Sequence, residues 1–331
     1  MAIAPIFEQA WPGYSKLSPE ARGLAILRNE ALATIAGHLG IEPEWLHVLG
    51  ETNLGFYLGI QGLLSPTQLL QVSAVDRQEV LAIADSHSHS EILSVSHEGQ
   101  ILHNLNQEAV LAWQLGNGET GVVQQSAPTA KSIFVDATAT GARLALPTNW
   151  STAMWDSRNW AGPEGVGFLA VHPNSGWRNP LPHNDNRTVP GGSSTGLLIA
   201  SALAIDSWVA DEKIQAEMIL QVHRRIRGYI SERISNVDFA TPENPAMPHL
   251  LSMSFLYVDG EQLLNALLAK GFAVDSGSAC NAANLEPSHV LAAMGKLTQG
   301  NIRLTIHHTV TPEEVDGLLV AIEECVAALR D

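Results

Sequence analysis

Apolar residues recur with a helical period at Leu24, Leu27, Ala31, Ile35 and Leu39, between a start signal at Ser18-Pro19-Glu20 and a stop at Gly40. Ser18 reads as the N-cap and Pro19 as the first helical position, so this stretch predicts a surface helix with one buried face. A second stripe, Val315, Leu318, Leu319, Ile322, Val326 and Leu329, follows the capping sequence Thr311-Pro312-Glu313-Glu314 and predicts the last helix. A strand at Leu46 to Leu49, the turn 50–53 and a helix through Leu54, Leu58 and Leu64 form an arrangement that can turn backbone N–H groups toward a phosphate. Gln71 to Ser73, Ile92 to Ser96 and Thr120 to Gln124 read as strands, interleaved with helical stretches at Glu79 to Ile83 and Gln107 to Trp113. That alternation predicts an α/β chain whose mostly parallel sheet has helices on its faces.

Further along, Leu197 to Val222 predicts a long helix leading out of the large domain. Leu250 to Val258 reads as a strand, Asp259 to Lys270 as a helix stopped by Gly271, and Phe272 to Val274 as a short strand. Pro287 to Met294 reads as a short helix ended by Gly295, and Asn301 to Ile306 as a strand. The division predicted is an N-terminal arm over 1–14, a large α/β domain over 15–205 and a small C-terminal α/β domain over 206–331.

Composition narrows the function classes. The chain has 331 residues, 45% hydrophobic and 16% charged, which is an ordinary globular balance with enough length for a large and a small domain. A formal net charge of −16 argues against nucleic acid as a direct partner, since such a surface repels phosphate backbones. Two cysteines cannot build a disulfide framework or a four-cysteine metal site. No apolar window is long enough to span a bilayer, and no basic start with an apolar run opens the chain. The expectation is a cytoplasmic protein without a membrane partner.

The candidate chemistry centres on Ser276-Gly-Ser-Ala-Cys280-Asn-Ala-Ala-Asn-Leu-Glu-Pro287. Small polar neighbours place Cys280 on an accessible loop, where a thiol is set to react rather than to pack. Cys325 lies beside the apolar stripe of the last helix and reads as packing. His87 and His89 alternate along an extended segment, but no third ligand is evident, so a solvated edge strand is the favoured reading.

Ser-Gly-Ser-Ala-Cys followed by Leu-Glu-Pro-Ser resembles the catalytic-cysteine loop of cysteine desulfurases, in the class V aminotransferase superfamily. Gly116-Asn-Gly-Glu-Thr-Gly-Val-Val-Gln124, Ile133-Phe-Val-Asp-Ala-Thr138 and Trp160-Ala-Gly-Pro-Glu-Gly-Val-Gly-Phe-Leu169 resemble, in order, three sheet-edge motifs of the same family. The resemblance implies a fold-type I architecture with a seven-stranded, mostly parallel sheet and a smaller C-terminal domain. It also implies pyridoxal phosphate (PLP) on a lysine, a persulfide on the loop cysteine, and a dimer.

Carried over residue by residue, the resemblance makes Cys280 the persulfide carrier, Arg303 the anchor of the substrate carboxylate and Asp136 the partner of the pyridine nitrogen. Thr52 is a retained phosphate ligand, and Thr195 matches a threonine that reaches the neighbouring subunit's phosphate. The remaining cofactor positions have changed. The lysine position is Asn159, and an amide is not a nucleophile toward an aldehyde. Asp156 replaces a serine donor to the phosphate, with Glu51 beside Thr52, and two carboxylates repel a dianion. Arg77 stands for the histidine that stacks on the ring, Gly118 for the asparagine at the ring hydroxyl, and Ala139 for the glutamine near the Schiff base. None of the five lysines, Lys16, Lys131, Lys213, Lys270 and Lys296, falls at another motif position. The small-residue and threonine run that precedes the family's first helix has no counterpart, which implies a shorter pocket wall.

The leading reading is a desulfurase-like chain without covalent PLP, acting as sulfur acceptor, scaffold or inactive subunit. Its expected partners are itself or an active desulfurase in a dimer, and a sulfur-acceptor protein. Apolar faces left exposed along Leu54 to Leu64 and Leu197 to Ile205 are expected at the dimer contact. One alternative is an active PLP-dependent cysteine desulfurase that forms a persulfide on Cys280. The other is a cofactor-independent enzyme reusing the cleft.

Overall fold

The computed structural model describes residues 13–14, 16–102, 105–125, 128–182, 193–244, 247–276 and 287–330, without the side chains of 211–213. Helix α1 (Pro19–Leu39) starts under the side-chain cap of Ser18 and ends at Gly40 in the left-handed conformation, as its sequence predicts. The strands of the large sheet are β1 (Leu46–Leu49), β2 (Leu70–Ser73), β3 (Ser90–Leu93), β4 (Val110–Gln114), β5 (Ser132–Asp136), β6 (Thr152–Asp156) and β7 (Gly167–Val171). They form one seven-stranded sheet in the order β1-β7-β6-β5-β4-β2-β3. Neighbours from β3 to β6 run parallel, while β7 pairs antiparallel with both β1 and β6.

Helices cover both faces of this sheet. On one side α2 (Thr52–Gln61) and α3 (Gln78–Ser86) pack Phe56, Leu58, Ile60, Val80 and Ile83 against Val72, Phe134, Met154 and Leu169. On the other, α1 and the start of α4 (Thr195–Arg233) bury Ile35, Leu198, Ala202 and Ile205 against Trp113, Val135, Trp155 and Phe168. Burial on both faces is why these strands read as continuous apolar runs. It also explains a correction. Val110-Leu111-Ala112-Trp113, expected to be helical, is the buried strand β4, because a short run without alternation fits a covered strand as well as a helix.

Thr120 to Gln124, expected to be a strand, is a loop. Asn117 holds that loop: its Oδ1 accepts from the Glu119 and Thr120 N–H groups and from the Thr120 hydroxyl at 2.9–3.0 Å. Its amide donates to the Val75 carbonyl at 3.1 Å. The apolar faces expected to be exposed are instead mostly buried: Leu58, Ile60, Leu198 and Ile205 are inaccessible, and only Tyr57 and Leu203 stay open at 41% and 42%.

Helix α4 runs on through 205 and 206 without a break, and its second half packs Ile226 and Ile230 into a separate core. That core lies on a three-stranded antiparallel sheet of β8 (Val237–Phe239), β9 (Leu250–Phe255) and β10 (Asn301–Thr305), in the order β10-β9-β8. Helices α5 (Gly260–Ala269) and α7 (Pro312–Arg330) supply Leu263, Leu267, Val315, Leu319, Ile322 and Val326 to it. A reciprocal cap opens α7, with Thr311 N–H on the Glu314 carboxylate at 2.8 Å and Glu314 N–H on the Thr311 hydroxyl at 3.2 Å. Residues 272–274 are not a strand; only Asp275 bridges to Arg303 of β10. The short helix α6 (His289–Ala293) lies between that bridge and β10 in the chain.

Between β9 and β10 the chain turns at Gly300, whose φ is +64° and whose missing Cβ would stand 2.2 Å from the Phe255 carbonyl oxygen. That oxygen belongs to the β9 backbone and cannot yield. Gly300→Ala is expected to cost about 3 kcal/mol or more, the range of substitutions that combine strain with a steric clash. A urea midpoint within experimental error of the parent would contradict this.

Candidate active site

The parallel strands end along one edge at Ser73, Gln114, Asp136 and Asp156, which is where open α/β sheets gather their functional groups. Asp136 is 4% exposed, and its Oδ1 accepts from the Thr138 N–H at 2.9 Å and the Thr138 hydroxyl at 2.6 Å. Burial pushes its carboxyl above the usual range, against the charge of Arg77 and the bonds from Thr138, which pull it down. Arg77 caps α3, and its Nη1 donates to the same Thr138 hydroxyl at 3.3 Å. The guanidinium lies 5.5 Å from the Phe56 ring centre, and its Nε is 3.6 Å from Glu79, an ion pair too long for a hydrogen bond.

Asp76, next to Arg77, is 2% exposed and accepts the Ser73 N–H at 2.7 Å. Burial, and secondarily the charge of Asp136, push its carboxyl up to about 8, so it is mostly protonated at neutral pH. Gly118 and Ala139 face one another, since a Cβ on Gly118 would lie 3.2 Å from that of Ala139. Asn159 sits in a 3₁₀ turn, Ser157–Trp160, after β6. Its side-chain amide donates to the Thr138 carbonyl, and its own carbonyl accepts from Arg143 at 3.3 Å. The chain thus brings Arg77, Asp136 and Asn159 onto one turn, with Gly118 and Ala139 beside it.

A second group lies at the N-terminus of α2. Thr52 is its first residue, and Glu51 is its N-cap, whose carboxylate accepts the Asn53 N–H at 3.1 Å. A Cβ on Gly167 would lie 3.2 Å from the Thr52 Cα, and Gly167 pairs with Asp156 across β6 and β7. Asp156 is not a lone carboxylate, as its sequence position suggested. Arg158 clasps it with Nε at 3.1 Å from both oxygens and Nη2 at 2.6 Å, and donates its own N–H at 2.9 Å. The Arg158 guanidinium is held charged first by Asp156 and further by Glu164 and Glu51. Its side-chain bonds go to Asp156, while Glu164 and Glu51 act through their charge.

Arg303 lies on β10 in the small domain, where its Nη2 pairs with the Asp275 carboxylate at 3.0 Å. Thr195 is the first residue of α4, and is buried behind the cap formed by Ser194. Cys280 lies outside the described residues. The segment from Pro287 to Met294, just beyond that loop, is tied to the site. The Gln78 amide donates to His289 Nδ1 at 2.9 Å, which leaves Nε2–H to donate to the Asp76 carbonyl at 2.8 Å. Met294 and Val290 of this segment pack with Val75, Val95 and Val122 of the large domain.

Sequence reasoning missed Arg158, Asp76, Thr138 and His289. The Asp156-x-Arg158 spacing was a usable signal for the first, but the other three act through tertiary contacts that no spacing displays. His87 and His89 are each hydrogen-bonded locally, to the Gln68 carbonyl at 2.8 Å and the Ser88 hydroxyl at 2.9 Å. Among the described residues no three His, Cys, Asp or Glu side chains are grouped to hold a metal, and no helix is long and apolar enough to cross a membrane.

Sheet order, flanking helices and the small C-terminal sheet define a fold-type I PLP-enzyme architecture. Residues 182–318 match the family model described as Aminotransferase class-V. Over 238 residues the chain is 31% identical to the cysteine desulfurase IscS of Pectobacterium atrosepticum, covering 65% of this chain and 57% of that protein. It is also 31% identical to the IscS of Dictyoglomus turgidum over 175 residues, 51% of this chain and 44% of that one. The chain therefore spans about half the length of the curated relatives it matches. Among solved structures, a NifS-like protein from Rickettsia africae superposes with a TM-score of 0.82 at 17% identity, covering 98% of this chain and 94% of that one. An apo cysteine desulfurase from Thermococcus onnurineus gives 0.79 at 16% identity, over 98% and 91%. The chain thus carries an aminotransferase class-V match over 182–318 and is similar in sequence to cysteine desulfurases.

Proposed function

We propose that this chain handles sulfur through Cys280 without covalent PLP chemistry, as a sulfur acceptor, a scaffold or the lysine-free subunit of a mixed dimer. The reading is carried by Asn159, which the resemblance aligns with the family's Schiff-base lysine and which spends its amide on the Thr138 carbonyl. Three of the lysines stand elsewhere. Lys131 precedes β5 at the far end from Asp136, about 16 Å along an extended strand. Lys270 pairs with Glu324 at 2.7 Å and Lys296 with Asp238 at 3.0 Å, both in the small domain. With Asn159 at that position, the reading has sulfur handled here without an internal aldimine.

The chemistry left to Cys280 is thiol exchange. Its thiolate attacks the outer sulfur of a donor persulfide, the donor's S–S bond breaks, a persulfide forms on Cys280 and the donor leaves as a thiolate. An active cysteine desulfurase is the fitting donor. The competing reading, an active PLP-dependent desulfurase, draws support from Asp136 at its strand end and Thr52 at the start of α2. Titration with PLP separates the two. The expected result is no aldimine absorbance band, and a saturable band would favour the active enzyme.

Such a role calls for a partner, and a twofold dimer is the commonest assembly of soluble chains. A dimer, with itself or with an active desulfurase, is the expected mass in light scattering at micromolar concentration. A monomer under those conditions that also recovers no desulfurase would count against it.

A further inference from the structure

We infer that the functional edge of the sheet is self-ligated: Arg77 and Glu51 occupy the charge roles that a pyridine-ring phosphate ester would otherwise fill, and Arg158 is spent on Asp156. The inference rests on the reading that PLP is not held covalently, and carries it further by naming what has taken the group's place.

At the ring end, Asp136 is a buried carboxyl whose cationic neighbour is supplied by the chain itself, because Arg77 is the largest favourable influence set against its burial. The two share the Thr138 hydroxyl, which donates to Asp136 at 2.6 Å and accepts from Arg77 at 3.3 Å. Phe56 flanks the guanidinium with its ring centre 5.5 Å away, and Glu79 stands 3.6 Å from its Nε. A protonated ring nitrogen brought to Asp136 would meet a cation already in position, and like charges in a partly buried site repel strongly. Asn159 adds to this by bonding the carbonyl of the same Thr138.

At the other end, the N-terminal N–H groups of a helix are the natural seat of a phosphate. Here the Asn53 N–H is taken by the Glu51 carboxylate at 3.1 Å, an anion contributed by the chain. Next to it Asp156 is satisfied by Arg158, whose guanidinium also feels the charges of Glu164 and Glu51. With Arg158 committed to Asp156, the Glu51 carboxylate sets negative charge at the helix start, the wrong sign for a dianion. Even the substrate-side Arg303 is engaged by the carboxylate of Asp275 at 3.0 Å. The charged groups along this edge are therefore engaged within the chain.

Pyridoxine 5′-phosphate tests this cleanly, because it carries the ring and the phosphate but has no aldehyde and cannot form a Schiff base. At 1 mM it is expected to leave the melting temperature within about 1 °C, the mass-action result for a ligand whose Kd exceeds its concentration. Saturable stabilisation by several degrees would overturn the inference, even if no lysine were ever modified. The second arm is a double-mutant cycle. Arg77→Met should lower the melting temperature by several degrees by stranding Asp136, and adding Asp136→Asn should return part of the loss. Strictly additive shifts would overturn the pairing, and a coupled recovery would support it.

Discussion

Cys280→Ser should abolish sulfur labelling of this chain by an active cysteine desulfurase supplied with labelled cysteine, while Cys325→Ser leaves the label in place. The difference comes from the two thiols' settings. Cys325 lies on α7 in the core of the small domain, 5% exposed, and burial raises its thiol above the ordinary value. The thiolate is the attacking species, so a buried, protonated thiol reacts slowly however close the donor. Cys280 lies in a run of small polar residues with no such burial written into its sequence. Asp275, five residues before it, is already paired with Arg303, so the charges of this arginine and this aspartate largely cancel. Modest reactivity, well above that of Cys325, is expected. Equal labelling of both thiols, or none with Cys280 alkylated no faster than Cys325, would make the cysteine motif an ancestral remnant.

Acid should weaken the protein through its buried histidines. His249, 9% exposed where β9 begins, is pulled down to about 3, first by burial and then by the charges of Arg143 and His307. Its Nδ1 is buried without a hydrogen-bond partner among the described residues. A histidine whose folded value is depressed favours the folded state above its unfolded value of about 6.5, and that contribution is lost as pH falls toward 3. By pH 5 the loss from His249 alone comes to about 2 kcal/mol. His47, pulled to about 4 by burial and then by Arg28, and His223, lowered by burial, act in the same direction. The raised carboxyls of Asp76 and Asp136 act in the opposite direction, so the histidine effect is read as a difference: between pH 6.5 and pH 5 the urea midpoint of the parent should fall relative to that of His249→Gln. An unchanged slope in that variant would show that the junction tolerates the charge.

Local rules read off the chain survive where one segment decides its own fate. The Ser18 and Thr311 caps, the left-handed stop at Gly40 and the stripe of α7 all follow from adjacent residues. The sheet edge was legible only through the resemblance, which set Asp136 and Asp156 among the cofactor positions; both end buried strands. Beyond that, burial on both faces made β4 look helical. The pairing of Asp156 by Arg158 and of Asp136 by Arg77 depends on how turns after separate strands come together. Asp156 read alone looked like a repulsive carboxylate, whereas in the fold it is a neutralised one. His289 escaped notice for the same reason, since its two partners lie more than two hundred residues away.

The most direct measurement is a peptide-resolved mass spectrum of the full chain after incubation with PLP and reduction with borohydride. Absence of a covalent aldimine gives unmodified peptides at Lys16, Lys131, Lys213, Lys270 and Lys296, beyond the trace scatter of surface amines. A stoichiometric phosphopyridoxyl adduct on any one of those lysines would contradict it and make this chain a PLP-dependent enzyme with a relocated Schiff base.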